Sequence, residues 1–105
     1  MPYLEALLDG LVLPSVTRLE LMDWMVASGM LPKRMKQSFT SLARLRLEGC
    51  IMMSHAERAW KGTVTSLVSG GITVGVERLR YCDFQSQGPK AVSAELLAEL
   101  QKVGA

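Results

Sequence analysis

Apolar residues at helical spacing open the chain. Leu4, Leu7, Leu8 and Leu11 fall at i, i+3, i+4 and i+7, which predicts a first helix from Pro2 to about Leu11. Pro14 disfavours helix in the residue before it, so Val12-Leu13-Pro14-Ser15 reads as a break. Thr17-Arg18-Leu19-Glu20 has the form of a capping box, flanked by Val16 and Leu21 at the positions of a hydrophobic staple. It predicts a second helix through Leu21, Met22, Trp24, Met25 and Val26, stopping near Ser28-Gly29. A third helix is expected from Pro32, at its first turn, to a stop at Glu48-Gly49. Met35, Phe39, Leu42 and Leu45 lie there within an arc of roughly 120°, the core-facing stripe.

After Gly49 the period changes. Cys50–Met53, Thr63–Val68 and Ile72–Tyr81 are strand candidates, the last two joined at Ser69-Gly70-Gly71 as a tight hairpin. Gly75 inside the last strand suggests a bulge or a close approach. Phe84–Pro89 reads as a polar loop. A final helix capped by Ser93 carries Leu96, Leu97, Leu100 and Val103 on one face. No internal repeat or dividing linker is evident. The expectation is one α+β domain over residues 1–105: a three-helix N-terminal half, a small three-stranded antiparallel sheet and a C-terminal helix.

Composition changes this picture little. With 49% apolar and 21% charged residues, the 105-residue chain is far from a disordered signature and can build a core without staples. Seven methionines supply much of the bulk of the first half; they read as flexible core filler, with a methionine-rich groove as the sharper alternative. The net charge of +2 decides nothing, but its distribution does. From Trp24 to Leu47 there is no acidic residue, while Lys33, Arg34, Lys36, Arg44 and Arg46 all fall there.

Catalytic chemistry finds no constellation. One histidine, His55, has no spaced nucleophile and orienting group, and no carboxylate pair suggests acid–base work. Gly70-Gly71 lacks the Lys-Ser and helix start of a phosphate loop, and one His with two distant cysteines makes a poor metal site. The chain is therefore expected to be no enzyme and to need neither metal nor cofactor. Met1-Pro2-Tyr3-Leu4-Glu5 is unlike a signal peptide, and no run approaches the ~18 apolar residues of a membrane span. Cys50 and Cys82, without a CxxC pattern, read as reduced thiols, with a single disulfide as the other option. Together these point to a cytoplasmic protein with no membrane partner.

On the third helix, Lys33, Lys36, Gln37, Thr40, Ser41 and Arg44 occupy the arc opposite the apolar stripe, with Arg34 at its border and Arg46 near the apolar side. The link Gly29-Met30-Leu31 has the length of a helix-turn-helix. Three helices followed by a small sheet resemble the winged helix-turn-helix proteins. Ser38-Phe39-Thr40-Ser41-Leu42-Ala43-Arg44-Leu45-Arg46-Leu47-Glu48-Gly49-Cys50-Ile51 is similar to their recognition helix entering the first wing strand. The resemblance spans roughly Val16 to Tyr81. It implies a DNA-binding protein, a small transcriptional regulator, in which Lys33, Arg34, Lys36, Gln37, Thr40, Ser41 and Arg44 meet double-stranded DNA. Ser54–Gly62 is then the wing, with Arg58 and Lys61 reaching the flanking backbone. The strand Ile72–Tyr81 exceeds a minimal wing. The stripe Leu96, Leu97, Leu100 and Val103 either closes the core or pairs with a second copy, and the resemblance favours the homodimer. A non-enzymatic protein-interaction module (adaptor, inhibitor or assembly component) is the alternative, binding through the methionine-rich segment or the Ile72–Tyr81 edge strand.

Overall fold

Three short segments with strict two-residue alternation organise the molecule. In the computed structural model, which describes residues 3–27, 29–82 and 88–105, Arg18–Met22 (β1), Arg44–Glu48 (β3) and Thr73–Glu77 (β5) form a parallel sheet in the order β1-β3-β5. Their apolar members Leu45, Leu47, Val74 and Val76 point inward and are buried, while the residues between them face outward. A second sheet runs beside the first: Met25–Ala27 (β2), Ile51–Met53 (β4) and Arg80–Cys82 (β6) are parallel, and the two-residue β7, Lys90–Ala91, pairs antiparallel with β6.

Helices Leu4–Leu8 (α1), Leu31–Ser38 (α2), Ala59–Ser69 (α3) and Ala94–Gly104 (α4) complete the described elements. Each coil is therefore strand, turn, strand, helix, and the helix is the crossover that parallel strands require. Leu19 lies in register with Leu45 and Leu45 with Val74, so the coils repeat at 26 and 29 residues. Between the two strands of each coil one residue is left-handed: Asp23, Gly49 and Arg78, at φ 59, 66 and 50°. An internal repeat is thus present where none was expected.

The core lies between the sheets and the helices. Val26 and Met52 meet Leu45, Leu47, Val74 and Val76 from the strands; Leu31, Met35, Trp60, Val64, Leu67, Leu96 and Leu100 come from the helices. Trp60 is fully buried, and its indole Nε1 donates to the Arg80 carbonyl at 2.8 Å.

The expected fold is corrected at four places. The capping-box segment is β1 and β2, not a helix; the Thr17 carbonyl instead accepts the amides of Ala43 and Arg44 at 2.8 and 3.0 Å. The third helix starts at Leu31 with Pro32 in its first turn but ends at Ser38, and its expected second half is β3. Thr63–Val68 belongs to α3, because Trp60, Thr63, Val64 and Leu67 bury one face at i, i+3, i+4 and i+7. Gly70 and left-handed Gly71 end that helix rather than turning a hairpin; the Ile72 amide returns to the Leu67 carbonyl at 3.2 Å. The chain is α+β, but with four helices and two largely parallel sheets among the described residues, in place of three helices and an antiparallel three-stranded sheet.

Besides the helix entered at Pro32 and the strand near Ile51, two further expectations match the structure. Ser93 caps α4, its hydroxyl accepting the Leu96 amide at 3.3 Å, and α1 forms, though it spans only Leu4–Leu8. Residue 75 is a regular ladder position opposite Arg46, with no bulge. The proposed start at Pro2, the stop at Ser28 and most of the Phe84–Pro89 loop lie outside the described residues.

Candidate interaction surface

The outward face of the β1-β3-β5 sheet is built by alternation alone. Its three rows read Arg18–Arg44–Thr73, Glu20–Arg46–Gly75 and Met22–Glu48–Glu77 across the strands. The acidic last row is neutralised by arginines outside it. Arg46 Nη2 lies 3.0 Å from Glu77 Oε2 and 3.7 Å from Glu48 Oε2, and Arg78 pairs with the other oxygen of Glu48. The first row is not: among the described residues neither Arg18 nor Arg44 forms an ion pair, though they stand directly opposite each other and are exposed. Because Gly75 has no side chain, the face dips there into a depression of about 190 Å³ walled by Arg18, Glu20, Arg44, Arg46 and Thr73.

The side of the turns carries a second concave region. Arg80 Nη2 donates to the Gly49 carbonyl at 2.7 Å and lies 3.5 Å from Asp23 Oδ1, tying the three turns together. A cleft of about 510 Å³ opens there against Leu79, Val92 and Leu97. Cys50 sits beneath, buried, with its thiol directed at the Leu21 carbonyl 3.7 Å away. Burial pushes that thiol pKa up from its ordinary value, which disfavours the thiolate a nucleophile or metal ligand needs. His55 is exposed in the connection from β4 to α3. No group of three or more potential metal ligands occurs among the described residues, and no described helix is long and apolar enough to cross a membrane.

Of the nine residues expected to contact DNA, the seven assigned to one helix are split between elements, and Arg58 and Lys61, assigned to a wing, belong to the start of α3. Lys33, Arg34, Lys36 and Gln37 lie on α2, Thr40 and Ser41 in the turn after it, Arg44 on β3, Arg58 at the cap of α3 and Lys61 within α3. Two are engaged elsewhere. Arg34 Nη1 is 2.7 Å from Asp9 Oδ1, and Lys61 pairs with Glu99, which holds the Glu99 carboxyl below its usual range. The helix that was to present them as one face stops at Ser38, so the geometry behind that expectation is absent. Arg46, set aside because it fell near a helical apolar arc, shares the outward sheet face with Arg44, two residues before it on β3. Arg18, Glu20 and Gly75 were not among the expected site residues: the first two were read as part of a capping box and Gly75 as a bulge or close approach. Their signal was the alternation Arg18-Leu19-Glu20-Leu21, repeated at Arg44-Leu45-Arg46-Leu47 and Thr73-Val74-Gly75-Val76.

The stripe proposed for dimerisation is used inside the molecule. Leu96 and Leu100 are buried, and Leu97 and Val103 pack partly buried against the core. Comparison of the chain with protein families, with curated proteins and with solved structures found no match.

Proposed function

We propose that this chain is a protein-interaction module that binds its partner on the outward face of the β1-β3-β5 sheet. One observation carries the reading: Arg18 and Arg44 stand in register on adjacent strands, exposed and without a counter-ion among the described residues. Like charges directly opposite on neighbouring strands destabilise a sheet, and a carboxylate from outside relieves the repulsion. The depression at Gly75 gives such a side chain room to approach between the guanidinium groups.

The architecture supports the same reading. Leu45-Arg46-Leu47-Glu48-Gly49-Cys50-Ile51-Met52 resembles the L-x-L-x-x-N/C-x-L core of leucine-rich repeats, and spacings of 26 and 29 residues fall in that range. Stacked coils of this kind present extended surfaces suited to protein partners.

A photo-crosslinking residue at Thr73, compared with one at exposed Thr65 on α3, tests the proposal in cells that express the chain. The expected result is a discrete protein adduct from position 73 only, lost in Arg44→Glu with the fold intact by circular dichroism. Equal labelling from both positions overturns it. Salt-sensitive binding of random duplex DNA by the purified chain, with no protein adduct, would return weight to the nucleic-acid reading.

A further inference from the structure

Among the described residues one long strand edge stands open. At β2, the Glu5 carboxylate accepts the Ala27 amide, at 2.7 and 3.2 Å. At β5, Gln101 Nε2 donates to the Val76 carbonyl at 3.1 Å, and Gly104 packs against the Val74 carbonyl. The remaining edge of the second sheet, β7, is two residues long. β1 is five residues long and contains no proline or lysine; among the described residues outside the sheet only the Cys50 thiol bonds its backbone, at the inward-facing Leu21 carbonyl. Such an edge is a template for another strand.

The direction of the open groups follows from the ladder. The Thr17 carbonyl and the Asp23 amide bond towards β3, so residues 17, 19, 21 and 23 face inward along the sheet. By alternation, the amides and carbonyls of Arg18, Glu20 and Met22 face the open edge. The core shows the same opening: Leu19 and Leu21 remain half-buried, whereas Leu45 and Leu47, one coil on, are buried. Beside this edge in sequence, Val12 and Leu13 are 61% and 43% exposed.

We infer that the β1 edge pairs with the β1 edge of a second copy of this chain, antiparallel, with the two-fold axis at Leu19. Charge selects both the occupant and the register. With the axis at Leu19, Arg18 faces Glu20 of the second copy, and Glu20 faces its Arg18. Those are the residues whose backbones point outward, so they form the hydrogen-bonded pairs of the new ladder. An axis at Glu20 sets Glu20 against itself, and one at Leu21 leaves the arginine without an acid. Pairing at Leu19 covers Leu19 and joins the two parallel sheets into one of six strands. It is an isologous contact that closes as a dimer rather than growing into a fibre. The pairing neutralises Arg18, which the partner-binding proposal also uses, and leaves Arg44, one strand in, facing outward; sedimentation of the purified chain reads the pairing, and the cellular crosslink from position 73 reads the partner.

Sedimentation equilibrium of the purified chain across a wide concentration series tests the pairing. The wild-type chain is expected to pass from monomer to a dimer of twice the chain mass. Arg18→Glu and Glu20→Arg should each weaken the dimer about tenfold or more, because each sets like charges opposite twice. The double variant R18E/E20R should restore it. The two single variants mixed together should associate with each other in preference to themselves, a result that misfolding cannot produce. A chain that stays monomeric throughout the series, or a dimer whose affinity ignores the charge swaps, overturns the inference.

Discussion

Gly49 shows how one residue holds two coils together. It sits at φ 66°, and a Cβ there would lie 2.3 Å from Asp23 Oδ1 in the turn of the preceding coil. Gly49→Ala therefore adds a collision to the cost of a left-handed alanine, which alone is about 1–2 kcal/mol. We expect the midpoint of thermal unfolding to fall by several degrees in Gly49→Ala. Asp23→Gly in the same chain should recover the collision part and leave the backbone part. An equal loss in both variants would show that the turns are not in contact.

Glu5 is the other residue whose environment sets a measurable property. It is 5% exposed, and burial raises its carboxyl pKa above the ordinary 4.5, partly offset by the hydrogen bond from Ala27. A raised folded-state pKa means that its contribution to stability is present below the unfolded value and lost as pH rises through the folded one. Glu5→Gln keeps an oxygen for the Ala27 amide and has no charge to bury. It should equal or exceed wild type at neutral pH, the difference vanishing in acid; urea midpoints at several pH values read this directly. Glu5→Ala leaves a strand-edge amide without its partner and should cost about 1–3 kcal/mol.

At the scale of elements, helix and strand were separated by period. β3 alternates buried and exposed along Arg44-Leu45-Arg46-Leu47, yet Phe39, Leu42 and Leu45 also satisfy a helical stripe. Both patterns share Leu45, and Ser38 decides between them. Its buried hydroxyl donates to the Leu8 carbonyl at 3.0 Å, and its own carbonyl accepts the Leu13 amide at 2.7 Å, so that carbonyl is committed to the N-terminal segment rather than to a continuing helix. In α3 the error ran the other way. Val, Thr and Leu suggested a strand, but strand propensity is largely a matter of packing context, and the Trp60–Val64–Leu67 stripe packs as a helix.

For the whole molecule, stacking makes stability unequal along the chain. The central coil has a neighbour on each side, whereas β1 has one, and in such arrays stability is roughly a sum of unit and interface contributions. Amide exchange at dilute protein should therefore be slowest in β3 and fastest, among the strands of the first sheet, at the outward amides of β1. Arg46 should outlast Glu20 in a residue-resolved exchange experiment. Uniform protection across β1 and β3 under dilute conditions would contradict this gradient.

The sequence by itself determined local matters: a cap at Ser93, a helix entered at Pro32, a strand near Ile51 and the burial of Met35, Phe39, Leu42 and Leu45. Those depend on spacing and on backbone chemistry within a few residues. Which runs stack in parallel, and hence that Arg18, Arg44 and Thr73 share one row, depends on pairings between residues 26 and 29 positions apart. The repeat was visible only as a faint alternation, because its left-handed corner is held by Asp23, Gly49 and Arg78, three residue types with no common letter. Only the tertiary structure brought them to one place, since the stacking of the coils sets their backbone geometry.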